Sequence, residues 1–363
     1  MIDVKIKIMF YINALLNGGA ERVMCNLANQ FSERGYRVVF VTSFSKDDAY
    51  VLNTTIKRCN LETKESTDSI FKKNISRTKG LFKAIKAEKP NVIISFLPEP
   101  NFRTIIASKI SHVPCIISVR SDPAREYKPK NYFWAQKILY PLAGGIVFQT
   151  KDARQWFPKR IQQKSRIIMN QVDSKFFNTD HISDAYYVAI GRLDESKNFS
   201  MLIKSFGEFS KVYPENKLLI YGKGQEETKL KNLIGELGLN EKVILMGQTD
   251  NVPKALSKAK VFILSSDYEG MPNALLEAMS VGVPVISTDC PCGGPKMIIQ
   301  DNENGLLVPV NDEKAMTDAM LKIEGSNELR EKFKLNSKKT AETFHPNVIF
   351  AQWEEYILKC AQG

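Results

Sequence analysis

From end to end, short apolar runs rich in β-branched residues alternate with longer amphipathic stretches, the pattern of parallel sheets covered by helices. In the first half the runs are Val4–Ile12, Arg37–Phe44, Ile56–Asn60, Asn91–Phe96, Pro114–Val119, Gly145–Gln149 and Ser165–Met169. In the second they are Ala185–Ile190, Lys217–Tyr221, Val243–Met246, Val261–Leu264, Val283–Thr288 and Gly305–Val308. Two such sheets need two cores, and 363 residues suffice for two α/β domains with a cleft between them. The polar, aperiodic stretch Asp173–Asp184 reads as the linker.

Charge divides unequally along the chain. Residues 1–180 carry 30 Lys and Arg against 15 Asp and Glu, whereas the remainder carries 21 against 25. The basic half is expected to face a polyanion, either nucleic acid or an anionic membrane surface, or else to be a solvated basic surface. Two segments stand out. Phe71–Lys89 carries Lys72, Lys73, Arg77, Lys79, Lys83, Lys86 and Lys89, with Phe71, Ile75, Phe82 and Ile85 at helical spacing. Tyr127–Tyr140 interleaves Lys128, Lys130 and Lys137 with Tyr132, Phe133 and Trp134, a mixture favoured at headgroup depth. No apolar run is long enough to span a bilayer, and six scattered cysteines do not form the framework of a small secreted domain. The expectation is a cytoplasmic protein held peripherally at the inner face of the membrane. Cys290 and Cys292 form the one close pair, and no second pair or nearby histidine completes a zinc site.

The segment Ser265–Pro295 carries the most chemistry. Ser265–Met271 follows the run Val261–Leu264, so it forms a loop at the carboxyl edge of a sheet, where ligands bind in such folds. Pro272 and Asn273 are suited to opening a helix, and Gly282 to ending it. That helix is apolar nearly all round, so the carboxylate of Glu277 in its middle needs a partner. The vicinal hydroxyls of a ribose would serve, as would a neighbouring backbone amide or a lysine. Glu269 lies in the loop before the helix, followed by Gly270, which permits close approach of a ligand to the backbone. The helix start offers the N–H groups of Asn273 and Ala274 to an anion such as a diphosphate.

Glu269 and Glu277 together resemble the E-x7-E signature of glycosyltransferase family 4, retaining enzymes of GT-B architecture. Further motifs resemble the family in order: Gly18-Gly19-Ala20-Glu21-Arg22, Asn170-Gln171-Val172-Asp173, Gly191-Arg192-Leu193 with Lys197-Asn198, and Gly222-Lys223-Gly224. The resemblance implies an N-terminal acceptor domain over residues 1–175, rejoined by a C-terminal helix at 346–363, and a donor domain over 185–345. Gly18 and Gly19 resemble the loop that faces the donor diphosphate. Arg192 and Lys197 resemble the cations that stabilise the departing diphosphate. Glu277 resembles the ribose-binding carboxylate and Glu269 the one touching the sugar, with the stretch Gly270, Met271, Pro272, Asn273 and Ala274 lying along sugar and phosphate and offering its backbone N–H groups, of which Pro272 has none. Gly222 and Gly224 would lie near the nucleotide. Read singly, two glycines after a strand make a tight turn, and a loop Arg or Lys is a solvated cation.

Many relatives carry a histidine after the fifth strand, where this chain reads Val119-Arg120-Ser121-Asp122-Pro123. Arg120 is expected to face the donor sugar or an acceptor phosphate. Retention implies little need of a protein base, so catalysis falls to positioning and to the two cations. No Asp-x-Asp pair is available for a metal, and neither a metal nor any other cofactor is expected. Similarity of VRSDP and TDCPCGGP to polysaccharide-assembly members implies a UDP-hexose or UDP-N-acetylhexosamine donor and a lipid-diphosphate-linked glycan acceptor. The rivals are a nucleic-acid-binding protein, which lacks any accompanying recognition motif, and an NAD-dependent oxidoreductase, whose glycine fingerprint is incomplete because Glu227 stands where a third glycine belongs.

Overall fold

The computed structural model describes residues 6–45, 48–62, 69–182 and 185–362. The chain divides into two units, one running up to Asn170 and taken up again at Ile349, the other Gln171–Val348. Each of the apolar runs forms a strand; Val4 and Lys5 of the first run lie outside the described residues.

The first unit holds β1 (Lys7–Ile12), β2 (Arg37–Phe44), β3 (Lys57–Glu62), β4 (Val92–Phe96), β5 (Cys115–Val119), β6 (Gly145–Phe148) and β7 (Ser165–Ile167). They make one sheet in the order β3-β2-β1-β4-β5-β6-β7. Every pairing is parallel, with Phe10 of β1 opposite Phe40 on one side and Ile94 on the other. A parallel sheet is covered on both faces, which is why β4 and β5 are buried at every position. Strand order reverses between β1 and β4, so the connections leaving these two strands diverge there.

Five helices of this unit matter below: α1 (Gly19–Glu33), α2 (Ile70–Glu88), α3 (Pro98–Ser111), α4 (Pro123–Glu126) and α5 (Lys130–Leu139). The last helix of the chain, Pro346–Gln362, returns to this unit. Phe350 meets Phe31 of α1 with ring centroids 4.5 Å apart, and Trp353 meets Phe96 of β4 at 5.9 Å. Tyr356 Oη accepts from the Ile146 N–H at 2.9 Å and donates to the Lys164 carbonyl at 2.6 Å, tying the helix to the β6 end of the sheet.

On α2 the apolar spacing splits into two fates. Arg77, Leu81 and Ile85 are buried, while Phe71 and Ile75 are 75% and 41% exposed. On α5, Trp134 is 59% and Ile138 65% exposed, and the Lys137 ammonium lies 4.2 Å from the Phe133 ring centroid. Among the described residues no helix is long and apolar enough to cross a membrane.

The second unit holds β8 (Tyr186–Ile190), β9 (Leu218–Tyr221), β10 (Val243–Gly247), β11 (Ala259–Leu264), β12 (Val285–Thr288) and β13 (Leu306–Val308), in the order β10-β9-β8-β11-β12-β13. Again every pairing is parallel, and the order reverses between β8 and β11. Its core contains Tyr187, Phe206 and Phe209, and the Tyr187 hydroxyl donates to Glu324 at 2.7 Å. The stretch read as a linker is not all irregular. Asp173 caps a short helix, Ser174–Phe177, that buries Phe176 and packs against the helix Asn273–Val281 within this unit. An acidic N-cap followed by two aromatics carries that turn, and the polar composition around it conceals it from periodicity.

Candidate functional site

In the second unit the catalytic candidates gather at the carboxyl ends of β8 and β11, where strand order reverses. The chain leaves β8 through Gly191, Arg192 and Leu193 into a 3-10 turn, Glu195–Lys197. Asp194 caps that turn by accepting from the Ser196 N–H at 3.1 Å, and Asn198, in the left-handed region at φ 45°, caps the next helix by accepting from the Met201 N–H. This double cap fixes the direction of Lys197. Its ammonium forms an ion pair with Glu269 Oε1, which also accepts from Ser266 Oγ at 2.9 Å. The two side chains are only 17% and 15% exposed. Lys197 is therefore not the solvated loop cation that the sequence allows. Arg192 is, at 75% exposed, and it reaches Asp194 at 3.1 Å.

Backbone contacts hold the loops after β8 and β11 together. Ser265 Oγ donates to the Lys197 carbonyl at 2.7 Å, the Asp267 N–H donates to the Ser196 carbonyl at 2.9 Å, and Asn198 Nδ2 donates to Asp267 Oδ1 at 2.8 Å. From the far side, the Glu269 N–H donates to the Pro291 carbonyl and the Cys292 N–H returns to the Glu269 carbonyl at 2.8 Å. A Cβ on Gly294 would overlap the Gly270 carbonyl, so only glycine permits this approach. Likewise Gly222, at φ 155°, abuts the Gly191 carbonyl, and a Cβ on Gly224 would overlap the Leu193 carbonyl. These glycines pack loop against loop as well as leaving room beside the site.

The helix Asn273–Val281 starts at Pro272 and ends on Gly282 at φ 86°. Glu277 is 5% exposed, and Leu275 to Val281 are all buried, as the apolar pattern requires. Met271 and Pro272 are buried too, while Asn273 and Ala274 are half-buried at the helix start. Nearby Cys290 is buried, and burial, reinforced by Glu269, pushes its thiol up to about 12.

In the first unit, Gly18 caps α1 directly after the loop leaving β1. The carboxylate of Glu21 folds over Gly18, so an anion entering there would have to move that side chain. Arg120 stands at the carboxyl end of β5 and is 9% exposed. Its guanidinium lies 4.3 Å from the Phe96 ring centroid, donates to Asn170 Oδ1 at 2.5 Å and to Ser118 Oγ at 3.4 Å, and leaves Nε without a hydrogen-bond partner. Burial pushes it down to about 9. Sequence reasoning singles out neither Ser266, which shares Glu269 with Lys197, nor Gly294. A hydroxyl beside the quoted loop is a weak signal, and Gly294 matters only because two loops distant in sequence touch.

Residues 17–176 match the family described as Glycosyltransferase Family 4, and residues 173–340 that described as Glycosyl transferases group 1. A Campylobacter jejuni enzyme named as a GalNAc-alpha-(1->4)-GalNAc-alpha-(1->3)-diNAcBac-PP-undecaprenol alpha-1,4-N-acetyl-D-galactosaminyltransferase is 31% identical, covering 97% of this chain and 98% of its own. A second from that organism, an N-acetylgalactosamine-N,N'-diacetylbacillosaminyl-diphospho-undecaprenol 4-alpha-N-acetylgalactosaminyltransferase, is 27% identical over 97% and 99%. Among solved structures, the sucrose-phosphate synthase of Thermosynechococcus elongatus superposes with a TM-score of 0.85 at 16% identity, covering 98% of this chain and 99% of that one. Anabaena HepE in complex with UDP and glucose does so with 0.82 at 16% identity, covering 98% and 100%. At such identities the structures attest the two-domain fold alone.

Proposed function

The chain belongs to glycosyltransferase family 4, and from that premise we propose that it moves a hexose or N-acetylhexosamine from a UDP-sugar to a lipid-diphosphate-linked glycan, with retention and without a metal. The observation that carries this reading is the Lys197–Glu269 pair at the strand-order reversal, beside the start of a helix that buries Glu277. The relatives named above for transfer to diphospho-undecaprenol-linked glycans support the acceptor class.

In this reading Glu277 accepts from the ribose hydroxyls, and the stretch Gly270 to Ala274 meets diphosphate and sugar through the backbone N–H groups of its residues other than Pro272. The acceptor oxygen bonds to the anomeric carbon on the face from which the diphosphate leaves. As the bond from that carbon to the phosphate oxygen breaks, the acceptor proton passes to the departing phosphate. The negative charge that grows on the diphosphate while this bond breaks is stabilised by Arg192 and Lys197. Glu269 holds Lys197 in place beforehand and contacts the sugar. Arg120, a buried cation with a spare N–H, faces an acceptor phosphate or the donor sugar. The enzyme works at the inner face of the cell membrane, held there peripherally by its basic unit.

The test is transfer from a panel of UDP-, GDP- and ADP-sugars to a prenyl-diphosphate glycan, with and without EDTA, the product anomer being read by NMR. Turnover with a UDP-sugar, unaffected by EDTA and giving the donor's anomeric configuration, is expected. A GDP- or ADP-sugar preference, inversion, or EDTA inhibition reversed by Mg²⁺ would contradict the corresponding part.

A further inference from the structure

In the first unit α2, α3 and α5 enclose a cavity of about 450 Å³ that the donor chemistry does not use, a volume in the range of small-molecule sites. Its walls are apolar: Phe71 and Ile75 from α2, Phe102 and Ile106 from α3, and Ala135 with the ring of Tyr132 from α5. Phe71, Ile75 and Ile106 remain 75%, 41% and 38% exposed, so protein atoms leave much of this surface uncovered.

The deep end is polar. Arg103, 2% exposed, donates to the Tyr11 hydroxyl at 2.9 Å, to Asn74 Oδ1 at 2.7 Å and to Asn13 Oδ1. Glu99 accepts from the Tyr132 hydroxyl at 2.6 Å and from Asn13 Nδ2 at 3.2 Å. Asn13 follows β1 and Glu99 opens α3 after β4, so this end stands at the reversal of strand order in the first sheet, the place where ligands meet such folds. Lys79, itself exposed, joins the lining, giving two cations to the one carboxylate, whose oxygens are already engaged. Outside the lining, exposed Lys72 of α2 and Lys130 and Lys137 of α5 add positive charge to the same helices. A polar end lined by Arg103 and Lys79, hydrocarbon walls and lysines elsewhere on the same helices are complementary to an amphiphile with an anionic head and a branched apolar tail.

We infer that the cavity holds the first isoprene units of a prenyl diphosphate, the chain lying against α2 and α5 and the diphosphate toward Arg103 and Lys79. The identity of the chain rests on the lipid-diphosphate acceptor proposed above. The cavity would thus select an acceptor by its lipid as well as by its sugar.

The probe is farnesyl diphosphate, titrated calorimetrically into the full chain beside inorganic diphosphate. Farnesyl diphosphate should bind at least about tenfold more tightly, since only it can bury apolar surface. Ile106→Trp, which fills the cavity, should remove that advantage and leave inorganic diphosphate unaffected. Phe71→Ser, at a position too exposed to hold the fold, should weaken farnesyl diphosphate in the same direction. Absence of binding to the unaltered chain, or farnesyl diphosphate binding by both variants as tight as by the unaltered chain, overturns the proposal. So does a concentration-dependent doubling of mass that Ile106→Trp abolishes, which would make the mouth an interface between copies. Transfer assays separate the two readings. Variant-sensitive farnesyl diphosphate binding without transfer to any prenyl-diphosphate glycan removes the acceptor assignment and keeps the cavity. Transfer with a KM unchanged in both variants removes the cavity and keeps the acceptor.

Discussion

Glu277 tests the donor reading most directly, because glutamine in its place keeps the volume but removes the charge and exchanges one acceptor oxygen for an NH2 donor. At 5% exposure on a buried helix the carboxylate accepts unusually strong hydrogen bonds. Glu277→Gln should therefore weaken UDP binding about tenfold or more; calorimetry that finds no change would assign the carboxylate to the fold alone. The two cations separate differently. Arg192 is 75% exposed, so Arg192→Ala should lower turnover with little change in melting temperature. Lys197→Ala should lower turnover by about 10²-fold or more, and it should also destabilise the chain, because it strands the largely buried carboxylate of Glu269. Pairing it with Glu269→Gln should recover the stability and not the activity. Glu126 supplies a pH signature. Burial raises its carboxyl from 4.5 to about 7, against a hydrogen bond from Tyr127 and with help from Asp122, and its Oε2 has no hydrogen-bond partner. The folded state holds this proton more tightly than the unfolded chain does, so the stabilisation is full below pH 4.5 and is lost as pH rises through 7. Melting temperature followed across that window should fall, and Glu126→Gln should flatten the decline; an identical profile in the variant would remove Glu126 from the account.

At the scale of elements, hydrogen bonds join the loops after β8, β11 and β12, and Gly294 is one place where the last two touch. Gly294→Ala drives a methyl into the Gly270 carbonyl, so the Glu269 loop must shift. UDP affinity and melting temperature should fall together, and a variant that keeps both would show the loop more compliant than its packing implies. What was legible at this scale follows from physics that is local in sequence. Strands buried on both faces read as continuous apolar runs, so the runs of both sheets were identifiable, as was the Asn273–Val281 helix from Pro272 and Gly282. Parallel strands also put Glu269 at a carboxyl edge by necessity. The burial of Lys197 was not legible, because it depends on a partner 72 residues away. Nor was the cavity, which three helices assemble. On α2 the spacing of Phe71, Ile75, Phe82 and Ile85 gives one stripe, yet only its far end reaches the sheet. The short helix at Ser174–Phe177 was missed for the opposite reason, being too brief for any period to register.

For the whole molecule the dominant quantity is the division of charge. The unit up to Asn170 and from Ile349 carries 30 Lys and Arg against 15 Asp and Glu, and the other 21 against 25. A net charge this lopsided is an argument about partners rather than about fold. The basic unit also presents exposed apolar side chains beside its lysines, Phe71 and Ile75 on α2 and Trp134 and Ile138 on α5. Their exposure answers whether they pack on the sheet: they do not. Aromatic and aliphatic residues next to cations suit the headgroup region, where a ring sits at the interface while an ammonium reaches phosphate. Each basic residue near an anionic leaflet contributes about 1 kcal/mol, so several together can hold the chain there. The attraction is screened within a Debye length of about 8 Å at physiological salt, and burial of a few side chains is too shallow to resist it. Binding should therefore be reversible and selective. Sedimentation with phosphatidylserine vesicles at low salt should carry the chain down, high salt should release it, and neutral phosphatidylcholine vesicles should leave it in solution. Ile75→Ser with Trp134→Ser should weaken binding to anionic vesicles without abolishing it, because the charges remain. Equal sedimentation with both lipids, or none with either, would refute docking by charge.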